Sequence, residues 1–128
     1  MVTYQHGIPI EAIEDITDFE EIPAVWLNSD KQFFALTIKG NSMAPVYQTG
    51  DVVIFERASD CESGSHCAVM VNGDDVTFKK VIKTEAGVVL QPLNEEDYEP
   101  KFYSNKEIKE LPLRIVGIAK EIRRKLNF

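Results

Sequence analysis

The sequence predicts a mainly β domain of many short, mostly antiparallel strands, preceded by an N-terminal arm. Three observations carry that expectation. Apolar residues alternate with a period of two from Phe34 onward, β-rich runs are cut at short intervals by turn-forming clusters, and Asn72-Gly73 stands between two such runs. With 128 residues, 44% of them hydrophobic and including seven Phe, four Tyr and one Trp, the chain can build one core without metal or disulfide staples. It is too short for two.

Residues 1–30 hold Pro9, Pro23, irregularly spaced isoleucines (Ile8, Ile10, Ile13, Ile16, Ile22) and seven acids without a single Lys or Arg. That composition fits an extended arm that wraps the domain better than a core helix, and leaves residues 31–128 as the β-rich domain. Phe34, Leu36 and Ile38 then alternate against Ala35, Thr37 and Lys39, the signature of a half-buried strand. The runs 52–56, 67–71, 76–83, 88–90 and 113–118 repeat this character. They are separated by Gly50-Asp51, Ser63-Gly64, Asn72-Gly73-Asp74 and Ala86-Gly87. Asn and Gly both accept positive φ, so Asn72-Gly73 predicts a hairpin with a tight primed turn. Ser104-Asn105-Lys106-Glu107 has the Ser-x-x-Glu form of a helix capping box, and Pro112 limits the helix that follows to about two turns.

The net charge of −7 belongs to the arm, because residues 31–128 carry 14 charges of each sign. Apart from a slightly basic stretch at 120–125, no basic face is offered to phosphate. Contact with nucleic acid is therefore expected only through a segment upstream of this chain. No apolar run approaches the roughly 20 residues that cross a bilayer, and no signal-peptide pattern opens the chain. Cys61 and Cys67 close too short a loop to staple a fold and read as reduced thiols of a cytoplasmic protein.

Most familiar chemistries fail on the residues. Gly40-Asn41-Ser42-Met43-Ala44 lacks the final glycine of a nucleophile elbow, and no Ser-x-x-Lys occurs. A Ser-His-Asp triad would have to draw on His6, in the acidic arm, or His66, in a turn-rich stretch. Cys61, His66 and Cys67 are three residues without zinc-finger spacing and read as two ordinary thiols and a surface histidine, with no metal or cofactor expected. What remains is Gly40-Asn41-Ser42-Met43-Ala44-Pro45 directly after a strand, then Thr49-Gly50-Asp51-Val52-Val53, then Val76-Thr77-Phe78-Lys79-Lys80-Val81. Taken alone, Ser42 could be a turn serine and a lysine at 79 or 80 a solvated strand residue. Strand alternation sets Lys80 on the face of Val76, Phe78 and Ile82, and Lys79 on that of Thr77, Val81 and Lys83. By pattern alone Lys80 is slightly favoured as the buried amine.

These motifs, in this order and spacing, resemble the C-terminal self-cleaving peptidase domain shared by LexA, the lambda-type phage repressors and UmuD. The resemblance runs over nearly the whole chain and implies a LexA/signal-peptidase-like fold. It implies Ser42 as nucleophile, Lys79 as its general base and backbone N–H groups around Asn41 and Ser42 as oxyanion donors. Such a lysine must work unprotonated. Holding an amine of reference pKa about 10.4 neutral at pH 7 costs about 4.6 kcal/mol, so the base needs apolar surroundings.

The family's cut bond lies in the arm, and Gly7-Ile8-Pro9-Ile10 resembles the segment after the cut, which makes His6–Gly7 the implied scissile bond. His6 stands where the family carries a small residue, so cleavage there is expected to be slowed or abolished. The resemblance further implies a homodimer, with residues 113–118 as its contact, a RecA-type filament as co-protease in the response to DNA damage, and a helix-turn-helix domain upstream of residue 1. Three rivals share features of this reading: a UmuD-like polymerase accessory protein, a signal-peptidase-like enzyme, which would need a membrane anchor, and a dimerisation module whose dyad is idle.

Overall fold

The computed structural model describes residues 16–19, 31–73 and 75–126. Along the chain run β1 (Ile16–Phe19), β2 (Phe33–Ile38), β3 (Val52–Arg57), β4 (Ser65–Val71), β5 (Asp75–Thr84), β6 (Gly87–Gln91), β7 (Lys101–Ser104), α1 (Asn105–Glu110) and β8 (Leu113–Arg123). All pairings are antiparallel and form one sheet in the order β1-β2-β3-β8-β4-β5-β6-β7. The mainly β, antiparallel expectation holds.

Two meanders, β1-β2-β3 and β4-β5-β6-β7, are joined by β8, which returns from the C-terminal end to lie between β3 and β4. Its first half pairs with β4, from Val71↔Leu113 to Cys67↔Ile118, and its second half with β3, from Arg57↔Gly117 to Val52↔Arg123. Within the run 113–118, expected to carry a dimer contact, Leu113, Arg114 and Ile115 pair with β4 alone among the described residues, whereas Gly117 and Ile118 are paired on both sides. The acidic arm contributes more than a wrapping: β1 extends the sheet through Ile16↔Ile38 and Phe19↔Leu36.

The hairpin between β4 and β5 forms where Asn72-Gly73 predicts it, with φ of 59° at Asn72 and 79° at Gly73. Its last paired residues are Val71 and Asp75, so three residues cross between the strands rather than two. The capping box is complete. Ser104 Oγ accepts from the Glu107 N–H, the Glu107 carboxylate accepts from the Ser104 N–H, and the helix stops after six residues.

Burial departs from simple alternation. Phe33, Phe34, Ala35 and Leu36 are all buried, because β2 is covered on both faces: Phe34 and Leu36 join the main core, while Phe33 and Ala35 pack with Ile54 in a smaller cluster. The main core is threaded by aromatic rings. Phe34 stacks on Phe55 at 5.2 Å, Phe55 meets Phe78 edge-on at 5.2 Å, and Phe78 meets Tyr47 edge-on at 4.6 Å. Phe55 lies on β3 and Phe78 on β5, three places apart in strand order, so the sheet curls to bring these rings together. A second cluster on Cys67, Val69, Val81, Leu90 and Tyr103 takes in Ile108 of α1.

Candidate active site

Residues 39–51 link β2 to β3, and local chemistry shapes this loop around Ser42. Its neck is closed like a hairpin, with the Ile38 N–H on the Asp51 carbonyl at 2.8 Å and the Gly50 N–H on the Ile38 carbonyl at 2.9 Å. Gly40 enters the loop at φ +94°, a conformation that side chains rarely adopt. Met43 and Tyr47 are buried and root the loop in the core. The Tyr47 hydroxyl lies 2.7 Å from His66 Nδ1. Asp51, 2% exposed, accepts from the Gln48 N–H at 2.8 Å and is gripped by Arg124, which also donates to the Val46 carbonyl at 3.2 Å.

Lys79 sits midway along β5, opposite Cys67 of β4. On its other side β6 covers β5 only from Lys80↔Gln91 to Thr84↔Gly87, so Lys79 is the first residue past the end of β6. There the chain leaves the sheet at Pro92, and the Leu93 and Asn94 N–H groups both donate to the Ser42 carbonyl, at 3.0 and 3.1 Å. The serine loop thus occupies the place that β6 vacates. Lys79 Nζ stands 3.2 Å from Ser42 Oγ and donates to Thr77 Oγ1 at 2.7 Å. Ser42 is only 5% exposed.

Of the two lysines, the structure brings Lys79 to Ser42. Lys80 follows the face of Val76 and Phe78, opposite His66 in register. The pattern argument favours Lys80 because it equates the apolar face with the site. That face is the main core, and the hydroxyl and amine meet on the opposite face, which Thr77 shares with Lys79.

The carbonyls around Ser42 are fixed one after another. Thr49 Oγ1 donates to the Gly40 carbonyl at 2.9 Å, and Asn94 Nδ2 donates to the Asn41 carbonyl at 3.2 Å. His66 departs from the surface histidine expected. It lies in β4, half-buried against Tyr47, and burial with the nearby Lys80 charge holds its pKa below the usual imidazole value. Cys61 and Cys67 are both free and buried. Burial, reinforced by Cys61 beside it, pushes the Cys67 thiol up. Among the described residues no group of three His, Cys, Asp or Glu is placed to hold a metal ion. No described helix is long and apolar enough to cross a membrane. His6 and Gly7 lie outside the described residues. Sequence reasoning missed Asn94 and Arg124, and passed over Thr49 and Asp51 as parts of a turn. Asn94, Arg124 and Asp51 act through partners more than 50 residues away, and Thr49 through the Gly40 carbonyl nine residues back, none of which a local pattern records.

The curled antiparallel sheet thus sets a buried serine hydroxyl 3.2 Å from a strand lysine amine. A family model described as Peptidase S24-like matches residues 1–119, and the chain belongs to this family. It is similar to the LexA repressor of Thermotoga neapolitana, 35% identical over 113 residues covering 88% of this chain and 56% of the relative. It is also similar to that of Oceanobacillus iheyensis, 33% identical over 117 residues covering 91% of this chain and 55% of the relative. The chain therefore spans just over half the length of these relatives.

Proposed function

We propose that this chain is the regulatory, self-cleaving domain of a LexA-type repressor, with Ser42 as nucleophile and Lys79 as general base. The observation that carries this reading is the 3.2 Å approach of Lys79 Nζ to Ser42 Oγ, made by residues 37 apart in sequence. Family membership supports the peptidase class. Thr77, 2.7 Å from the same amine, keeps Nζ aimed at the serine.

In the reaction the arm folds back so that the His6 carbonyl meets Ser42. Oγ attacks that carbon as its proton passes to the neutral Lys79 amine, and the oxyanion is met by the backbone N–H groups of Asn41 and Ser42. The C–N bond breaks as Lys79 returns the proton to the Gly7 nitrogen, and water then releases the acyl group from Ser42. Because bond and nucleophile share one chain, the rate follows how often the arm docks and how often the amine is unprotonated. A partner that favours the docked arm acts as a switch, and a RecA-type filament fills that role in this reading. The domain works as a cytoplasmic homodimer, residues 1–30 serving as the cleavable arm and residues 31–128 as the peptidase and dimerisation unit. DNA is bound by a separate helix-turn-helix domain upstream.

Intact-mass spectrometry tests the proposal. The chain is incubated at pH 7 and near pH 10 beside Ser42→Ala and Lys79→Ala. Loss of residues 1–6 from the parent alone, faster at the alkaline pH, is the expected result. Where the parent is silent, His6→Ala is run under the same conditions. Cleavage of that variant supports a competent dyad facing a poor bond, and continued silence overturns self-cleavage and leaves a dimerisation module.

A further inference from the structure

Deepening the proposed function, and resting on it, we infer that Thr49 and Asn94 are positioning residues that aim the Asn41 and Ser42 N–H groups at the oxyanion. The inference comes from where the carbonyls of the serine loop are held. Both peptide bonds concerned, 40–41 and 41–42, are trans. In a planar trans unit the N–H points opposite to the C=O, so fixing the oxygen fixes the direction of the hydrogen. Thr49 Oγ1 holds the Gly40 carbonyl at 2.9 Å and thereby orients the Asn41 N–H. Asn94 Nδ2 at 3.2 Å, together with the Ala44 N–H at 3.1 Å, holds the Asn41 carbonyl and thereby orients the Ser42 N–H.

The following carbonyl, that of Ser42, takes the Leu93 and Asn94 N–H groups, so the 93–94 turn grips the loop on both sides of the nucleophile's α-carbon. Asn94 is itself braced: its amide also reaches Asp97 Oδ2 at 3.4 Å, and its carbonyl accepts the Tyr98 N–H at 3.2 Å. Gly40 needs such a tether, since a glycine at positive φ has the least intrinsic hold on its peptide planes. Preorganised donors act by being in place before charge develops, so a small tilt of either plane weakens catalysis while leaving the serine and lysine untouched.

The test uses a fluorophosphonate, which needs neither the arm nor the scissile bond. Ser42 Oγ attacks phosphorus, an O–P bond forms as P–F breaks, fluoride leaves, the serine proton passes to Lys79, and the phosphoryl oxygen occupies the oxyanion position. Labelling of the full chain is timed by intact mass across pH for the parent, Thr49→Val, Thr49→Ser and Asn94→Ala, with thermal unfolding as a check on folding. Thr49 is exposed and Val is isosteric, so that variant tests the tether without disturbing the core. Labelling should fall by about 10- to 100-fold in Thr49→Val and Asn94→Ala, by the same factor at every pH, and recover in Thr49→Ser. Parent-like labelling in both variants, or a loss that displaces the pH profile, overturns the inference and leaves the Ser42-Lys79 reading standing. Failure of the parent to label at any pH overturns that reading, and the inference with it.

Discussion

Arg124 closes on Asp51 through a two-pronged ion pair, Nε 2.7 Å from Oδ1 and Nη2 2.6 Å from Oδ2, between residues 73 apart in sequence. The pair ties the chain just past β8 to the end of the serine loop, and the same guanidinium reaches the Val46 carbonyl. Because Asp51 is buried while Arg124 is 44% exposed at its side chain, the carboxylate depends more on the contact than the guanidinium does.

Asp51 should therefore make stability fall in acid. The Arg124 hydrogen bonds hold its carboxyl below the usual carboxylate range, so the unfolded chain takes up the proton first. The contribution is complete above the unfolded value of about 3.9 and is lost as pH falls from there through the lower folded value. Asp51→Ala should cost about 2 kcal/mol at pH 7, a figure that rests on the lost hydrogen bonds, since solvent screens the charge on Arg124. Urea unfolding at pH 7 and at pH 3 measures both. Equal losses at the two pH values would mean that the carboxylate charge does not matter.

His66 should act in a higher window. Burial and the Lys80 charge favour its neutral form in the folded chain, so stability is complete above the unfolded value of about 6.5 and declines as pH falls through the lower folded value. Imidazole resonances followed by NMR should titrate below that reference, and in Tyr47→Phe the 2.7 Å hydrogen bond is absent. That variant should lose about 1 kcal/mol at pH 7.5, where the ring is neutral and the bond is made. A His66 that titrates at or above the reference value would contradict the packing described.

The thiols should be silent in the native state. Cys61 and Cys67 are both buried, and the Cys67 thiolate is disfavoured by burial and by its neighbour. Since only the thiolate attacks, Ellman's reagent at pH 8 should find almost no reactive thiol in the folded protein and two after denaturation in guanidinium. Rapid native labelling of Cys67 would show that β4 opens far more readily than its burial implies.

How much of this was legible in the sequence depends on the range of the interactions. Features set by neighbours were readable: the alternation at 34–38, the positive φ at Asn72-Gly73 and the Ser104-Glu107 box each specify structure within a few residues. The short β7 was not, because Lys-Phe-Tyr-Ser carries no pattern of its own and is a strand only by pairing with β6. The β8 run was read as ending at 118, since the charges of 119–123 hide a segment that β3 holds in the sheet. At the site, Ser42 and Lys79 were reached by resemblance, whereas alternation alone pointed to Lys80. Arg124 and Asn94 could not have been paired with Asp51 and Asn41, because nothing local records which distant segments the fold brings together.

Gly117 is a position in the curled sheet with no room for a side chain, and it makes a sharp stability prediction. A Cβ there would stand 2.7 Å from Phe34 Cζ, 2.8 Å from Phe34 Cε1 and 3.1 Å from Phe55 Cβ. Neither ring can easily yield. Both are fully buried and stacked on each other, and Phe55 is braced in turn by Phe78. Gly117 also lies where β8 passes from β4 to β3, paired with Ala68 on one side and Arg57 on the other, so the backbone is not free to move aside. Gly117→Ala should accordingly cost about 1–3 kcal/mol by overpacking. If the clash with Phe34 is the cause, shrinking that ring should relieve it. The double variant Gly117→Ala, Phe34→Leu should then be less destabilised than the sum of the two single changes, with a coupling of at least about 0.5 kcal/mol in a urea double-mutant cycle. Strict additivity would place the strain elsewhere in β8 and refute the close approach of Gly117 to Phe34 as its source.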